Sequence, residues 1–319
     1  MEILKYILFL LIGFILLIKG ADWFVDGSSS VAKLLKIPSI IIGLTIVACG
    51  TSLPEAAVSI SAAIKGSNEI ALSNVIGSNL FNLLVVIGVC AVIAPIGVSK
   101  DLYKRDFPLC ILFTILTTFF VWDKTLGRIE GIILLTLFII YLFILTKSAL
   151  KSRKEKSEED ASEIKTYSPL ISFLLIAAGI AGIAFGGQFV VDSSVGIAGK
   201  LGLSQTLIGL TIVACGTSLP ELVTSIVASK KGENDLALGN VVGSCIFNLV
   251  FILGMSASIH PIGGSANPII MNTIIDLIIL SVVTVLFYIL VWTKKTVNRV
   301  EGGISVLAYI AYLAYIILR

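Results

Sequence analysis

Two glutamates carry the chemistry that this sequence advertises. Pro54-Glu55 and Pro220-Glu221 each stand in the middle of a long apolar stretch, directly after Gly-Thr-Ser-Leu. A carboxylate left alone in hydrocarbon costs on the order of 3 kcal/mol or more. No Lys or Arg lies in either segment near it, so a cation from outside the chain is the natural counter-charge. Each proline removes an amide donor and clashes with the carbonyl four residues back, near Gly50 or Gly216. The helix is predicted to break there. Its freed carbonyls cannot stay bare in lipid and must face protein or a hydrated cavity.

A second motif adds oxygen. Residues 74–82 read NVIGSNLFN and residues 240–248 read NVVGSCIFN, with Cys245 where the first copy has Asn79. Ser78 and Asn82 are four apart, on one helical face, as are Ser244 and Asn248. Gly43, Gly50, Gly77 and their copies would let helices approach closely. The donor inventory is carboxylate, amide, hydroxyl and loose carbonyl, which suits Ca²⁺, with its six to eight oxygen ligands, and Na⁺ of similar size; Mg²⁺ sheds water reluctantly and fits less well. Zinc or copper would favour His and thiolate. The single histidine, His260, sits at a span end without a motif, and Cys49 and Cys215 read as small packing residues beside theirs.

These motifs are positioned by a membrane framework written twice. Of 319 residues, 57% are hydrophobic and 13% charged, against about 25% charge in a soluble domain. A soluble fold, a disordered chain and a disulfide scaffold are all excluded. Ten apolar stretches of spanning length lie at roughly 3–20, 39–64, 70–96, 107–122, 131–147, 169–191, 205–229, 236–259, 269–292 and 303–318. Residues 42–55 and 208–221 are the same fourteen residues, IGLTIVACGTSLPE. The offset of 166 holds from Gly13/Gly179 through Asp26/Asp192 and Asn82/Asn248 to Pro95/Pro261, then slips to 171 at Arg128/Arg299. Each copy holds five spans. Five is odd, so the second copy enters the membrane from the opposite side. The predicted fold is therefore an all-α membrane protein of ten transmembrane helices in two inverted-topology repeats of five, with helices 2 and 7 broken. Residues 1–147 form the first repeat, 148–168 a polar linker and 169–319 the second. With the N-terminus outside, seventeen of the 23 Lys and Arg fall on the cytoplasmic side, which places both termini outside and the linker in the cytoplasm. Trp122 and Trp292 fall at span ends as interfacial anchors. Asp22 and Asp26, near the end of span 1, read as interfacial residues. Inverted repeats of this kind are typical of secondary transporters, with the substrate site at mid-membrane where the repeats meet.

GTSLPE at 50–55 and 216–221, with GSNLFN at 77–82 and GSCIFN at 243–248, closely resembles the two alpha-repeats of the sodium/calcium exchanger family, in the calcium/cation antiporter superfamily. The resemblance covers all ten spans and points to a prokaryotic member, without the large cytoplasmic calcium-sensing domains of animal exchangers. It implies four adjacent cation sites. Glu55 and Glu221, with the backbone carbonyls of Thr51 and Thr217, would hold Ca²⁺. One flanking Na⁺ site would use the Ala48 carbonyl, Thr51, Ser52, Glu55 and Ser78. The other would use the Ala214 carbonyl, Thr217, Ser218, Glu221 and Ser244. Asn82 and Asn248 would close the middle, and spans 1 and 6 would slide as a gating pair. Well-known exchangers carry Asp where this chain has Asn248, which leaves two formal charges in the site and the coupling ratio open. Asn at that position also argues against potassium co-transport.

The function expected is Na⁺/Ca²⁺ antiport by alternating access, electrogenic at three-for-one. Calcium/proton antiport is the alternative, although the acidic GNAAE-like segment of proton exchangers is absent; a passive channel is a third reading. The expectation is a cell-membrane transporter, not an enzyme. It needs no cofactor, no nucleic acid and no obligate protein partner. Its partners are the ions and the bilayer.

Overall fold

The structure, a computed structural model, describes residues 2–65, 68–155, 166–201, 214–264 and 269–318. The chain runs through helices α1 (Glu2–Leu35), α2 (Ser39–Thr51), α3 (Leu53–Ile64), then α4, which passes from Asn68–Phe81 through Asn82–Val86 to Ile87–Ile93. Next come α5 (Leu102–Asp123), α6 (Arg128–Glu155) and α7 (Pro169–Lys200). The described remainder is α8 (Ala214–Thr217), α9 (Leu219–Lys230), α10 (Asn234–Ile259), α11 (Met271–Lys294) and α12 (Arg299–Leu318). Among the described residues, eight helices are long and apolar enough to cross a membrane, or nine when the bent pair α2 and α3 counts as one span. The span expected at 205–229 falls partly outside the described residues.

Large apolar side chains such as Leu4, Phe119, Phe143 and Ile129 are exposed on the outer helices. Water would not tolerate so continuous an apolar surface, whereas lipid does. Trp122 and Trp292 are exposed at the ends of α5 and α11, where interfacial anchors belong. The centre is the reverse. Residues 236–246 of α10 are all buried, so α10, with α4 beside it, forms the axis of the bundle.

Apolar run length underestimates several helices. α1 continues to Leu35 and α7 to Lys200, well past the stretches expected at 3–20 and 169–191. A helix satisfies its own backbone, so it need not stop where Asp22, Asp26 or Asp192 interrupts the hydrophobicity. α6 likewise runs to Glu155, into the segment expected as linker, and residues 156–165 lie outside the described set.

The α2/α3 break is local chemistry. The two helices meet at 52°, and Ser52 between them leaves the helical region with φ −84° and ψ 10°. Pro54 then falls in the first turn of α3, where its missing N–H costs nothing. Ser218 repeats this between α8 and α9, at φ −95° and ψ 8°, with Pro220 again in the first turn.

Contacts between the two halves follow the repeat. Glycines let α1 and α7 touch backbone to backbone: a Cβ on Gly13, Gly20 or Gly27 would come within 2.9 Å of Gly186, of Gly179 and Ile183, or of Ser172, respectively. Rising numbers on one helix meet falling numbers on the other, so the pair is antiparallel. Two short antiparallel ladders also cross between halves, β1 (Ile96–Gly97) with β4 (Thr296–Val297), and β2 (Thr125–Leu126) with β3 (Ile262–Gly263). The offsets of 166 and 171 convert one ladder into the other.

Not every glycine expected at a close approach makes one. A Cβ on Gly43 would lie 2.7 Å from the Leu236 carbonyl, and one on Gly243 2.7 Å from Leu44, but one on Gly77 would meet nothing within 4 Å. Gly43→Val is therefore expected to destabilise the protein by about 1–3 kcal/mol through overpacking, read as a lower melting temperature in detergent. Gly77→Ala should leave that temperature unchanged or slightly higher; equal losses from both would contradict this packing.

Candidate functional site

Glu55 in the first turn of α3 and Glu221 in the first turn of α9 are both fully buried. Each carboxylate is braced by the other half of the chain. Ser52 Oγ donates to Glu221 Oε1 at 2.8 Å, and Ser218 Oγ donates to Glu55 Oε1 at 2.9 Å. A serine one helix further in completes each brace. Ser78 Oγ lies 3.4 Å from Glu55 Oε1 and 3.1 Å from Ser218 Oγ. Ser244 Oγ lies 3.4 Å from Glu221 Oε1 and 2.9 Å from Ser52 Oγ. The two clusters interchange under the offset of 166.

Of the residues expected in the site, Thr51, Ser52, Glu55, Ser78, Asn82, Ser218, Glu221, Ser244 and Asn248 are all buried. Hydrogen bonds join all of these except Asn82 and Asn248 into the two clusters. Thr51 Oγ1 donates to Asn240 Oδ1 at 2.9 Å and lies 3.3 Å from the Ala48 carbonyl, which Ser244 Oγ also approaches at 3.4 Å. Thr217 ends α8 and is half-buried, and Ala214 opens the same helix. The first copy is thus the more enclosed at this position.

Two asparagines outside the expected ligand set hold the carboxylate-bearing turns. Asn74 Nδ2 donates to Ser59 Oγ at 3.0 Å and reaches the Glu55 carbonyl at 3.4 Å. Asn240 Nδ2 does the same with Ser225 and the Glu221 carbonyl, at 3.0 and 3.4 Å. Their signal in the sequence is the first Asn of each repeated NVxGS.

π-helical turns, which recur at functional sites, flank the cluster. Asn82 opens one (Asn82–Val86), Asn248 lies in another (Phe247–Ile252), and a third (Gly43–Val47) leads into Ala48.

The serines satisfy only one oxygen of each carboxylate. Glu55 Oε2, Glu221 Oε2, Asn82 Oδ1 and Asn248 Oδ1 are buried with no hydrogen-bond partner. An unsatisfied buried acceptor costs about 1–3 kcal/mol, more when charged. Among the described residues the ion pairs engage other acids, so no Lys or Arg neutralises either glutamate. Nor do three His, Cys, Asp or Glu side chains form a metal-holding group there. Two carboxylates surrounded by neutral oxygens can hold a hard cation, and the donor set is wrong for a soft one. Asp22 and Asp26 stand apart from this site, each 2.6 Å from Lys231 Nζ. Partial burial works against that ammonium, but the hydrogen bonds it donates to the two aspartates outweigh it and hold its pKa above the ordinary lysine range.

Comparison with known proteins agrees with this chemistry. The profile of the family described as Sodium/calcium exchanger protein matches residues 5–147 and 171–318. CaxA of Alkalimonas amylolytica is 40% identical, aligned over 96% of each chain. The sodium/calcium exchanger MaX1 of Methanosarcina acetivorans is 32% identical over 96% of this chain and 97% of its own. A solved structure of the sodium-calcium exchanger NCX_Mj, soaked with Na⁺ and Sr²⁺, superposes with a TM-score of 0.84 at 32% identity, covering 98% of this chain and 99% of that one. Fold and site define an integral membrane cation/Ca²⁺ antiporter. The chain belongs to the sodium/calcium exchanger family.

Glu55→Gln keeps the shape of the side chain and removes one of two buried charges. It is expected to weaken Ca²⁺ binding by at least about 100-fold, yet to leave the ion-free protein as stable or more so, because a buried charge without a basic partner has been deleted. Calcium titration calorimetry and thermal unfolding check both halves; unchanged Ca²⁺ affinity would remove Glu55 from the site.

Proposed function

We propose that the protein exchanges Na⁺ for Ca²⁺ across the cell membrane by alternating access, with both ions competing for Glu55 and Glu221. The observation that carries this reading is the pair of half-satisfied carboxylates. Each is braced on Oε1 from the opposite half and presents Oε2 without a partner. Ca²⁺ would take both glutamates with the Thr51 and Thr217 carbonyls. Na⁺ would take the flanking sets, Ala48, Thr51, Ser52, Glu55 and Ser78 on one side, and Ala214, Thr217, Ser218, Glu221 and Ser244 on the other, with Asn82 and Asn248 between them. The ions are substrates; the reading requires no cofactor, no enzymatic step and no obligate protein partner.

Ten spans in two inverted halves, 1–147 and 169–319, joined by a cytoplasmic linker at 148–168, with broken helices 2 and 7 and both termini outside, make up the architecture proposed. The antiparallel α1/α7 packing and the interchanging ladders support it. An asymmetry supports alternation between two states. Lys231 ties the turn after α9 to Asp22 and Asp26 on α1. Lys65 and Asp192 are the repeat counterparts of Lys231 and Asp26, and among the described residues they are not joined. Among the described residues, the ion pair is therefore made in one copy of the repeat and not in the other.

Two carboxylates balance one Ca²⁺, whereas three Na⁺ leave one positive charge. Three-for-one exchange is then electrogenic, and voltage biases it by about 2.3 kcal/mol per 100 mV. Reconstituted into Na⁺-loaded liposomes, the protein should take up ⁴⁵Ca²⁺ when Na⁺ runs outward, faster at inside-positive potential. Uptake driven by an outward H⁺ gradient and indifferent to Na⁺ would overturn the reading in favour of proton exchange. Asn248→Asp should add a pH dependence to Ca²⁺ uptake, because a third acid in one cluster can take a proton. An unchanged pH profile would count against Asn248 lining the site.

A further inference from the structure

The repeat is broken at one position inside the site. Asn79 in the first copy faces Cys245 in the second, and the two asparagines at the motif ends are held differently as a result. Asn248 Nδ2 donates to Asn79 Oδ1 at 3.0 Å. Asn79 is itself pinned, because its Nδ2 donates to the Cys245 carbonyl at 3.1 Å, on the same helix as Asn248 and one turn earlier. With its only donor group committed there, Asn79 must offer an acceptor to Asn248. Turning the Asn248 amide over would set two carbonyl oxygens against each other.

The other end of the Asn248 amide is therefore defined. Oδ1 and Nδ2 point to opposite sides of the group, and Oδ1 is buried without a partner. Ser244, four residues before Asn248 and on the same helical face, bonds Glu221 Oε1. Asn248 therefore shares the face of α10 that carries Ser244 beside Glu221. Asn82, its counterpart, has no such anchor. Its Oδ1 and Nδ2 make no regular hydrogen bond, and the side chain beside it is the Cys245 thiol, a weak donor and acceptor.

We propose that Asn79 is a positioning residue. Through a relay from the Cys245 carbonyl, it locks the Asn248 amide so that an oxygen, and never an NH₂ group, meets the transported cation. This gives the site a fixed neutral oxygen at the place where the family resemblance expects a carboxylate, without adding a third charge. The inference rests on the cation-exchange reading above.

The test is a pair of parallel substitutions, read by equilibrium ⁴⁵Ca²⁺ binding to purified protein and by the KM for Ca²⁺ in proteoliposomes, both at alkaline pH. Asn79→Cys installs the side chain that the second copy already carries. It should raise the Kd and KM for Ca²⁺ about 5–20-fold, the effect of misdirecting one hydrogen-bonded ligand, with the maximal rate much less affected. The same Asn79→Cys change in an Asn248→Asp background should cost no Ca²⁺ affinity, because a carboxylate has an oxygen at either end and cannot be presented the wrong way round. Asn79→Ala serves in its place should the cysteine variant lose monodisperse elution. Wild-type Ca²⁺ affinity in Asn79→Cys would overturn the proposal, and so would an equal loss in both backgrounds, which would mark Asn79 as merely structural. Failure of the unsubstituted protein to bind Ca²⁺ at all would instead sink the exchange reading on which the proposal stands.

Discussion

Two carboxylates are buried deep in this molecule, no basic side chain among the described residues neutralises them, and each is steadied by a serine from the opposite half of the chain. Most of the architecture can be read as the means of tolerating that arrangement. Leaving one charge in a low-dielectric interior is costly, and leaving two beside each other is worse. Hydroxyls recover part of this by donating to Oε1. Oε2 of each glutamate stays buried without a partner, and on the proposed reading the transported cation supplies what is missing.

The crossed bracing also explains why neither half can build the site alone. Ser52 reaches Glu221 and Ser218 reaches Glu55 from the N-cap positions of α3 and α9, each followed by a proline in the first turn. The break frees the serine hydroxyl from the helix surface and aims it across the interface. Asn74 and Asn240 then fix the carbonyls of the restarted turns. Glycines bring the backbones of α1 and α7 into direct contact, and Lys231 ties the turn after α9 to α1.

Much of this was legible in the residues. The identical fourteen-residue motif identified both glutamates, their serines and the break, because proline and glutamate in an apolar span leave few physical alternatives. The fold class followed from composition and span length. Other features were hidden for reasons that can be named. Helix ends were underestimated, since hydropathy reports where lipid stops and not where backbone hydrogen bonding stops. Gly77 looked like a packing contact by analogy with Gly43, but faces open space, and the sequence does not say which face a neighbour occupies. Asn79, Asn74 and Asn240 stood inside motifs already noticed, yet their roles depend on cross-helix distances that no spacing rule supplies. Asp22 and Asp26 were read as interfacial, and it took the fold to bring Lys231, some two hundred residues away, against both.

The account depends most on where the cation sits. Crystals of the protein soaked in Sr²⁺ as a calcium substitute, with diffraction recorded near the strontium edge, would show it directly. The expected result is one strong anomalous peak within about 2.3–2.8 Å of both Glu55 Oε2 and Glu221 Oε2, fading as Na⁺ replaces Sr²⁺ in the soak. A peak bound elsewhere, or glutamates turned away from each other with no ion between them at saturating Sr²⁺, would contradict the account.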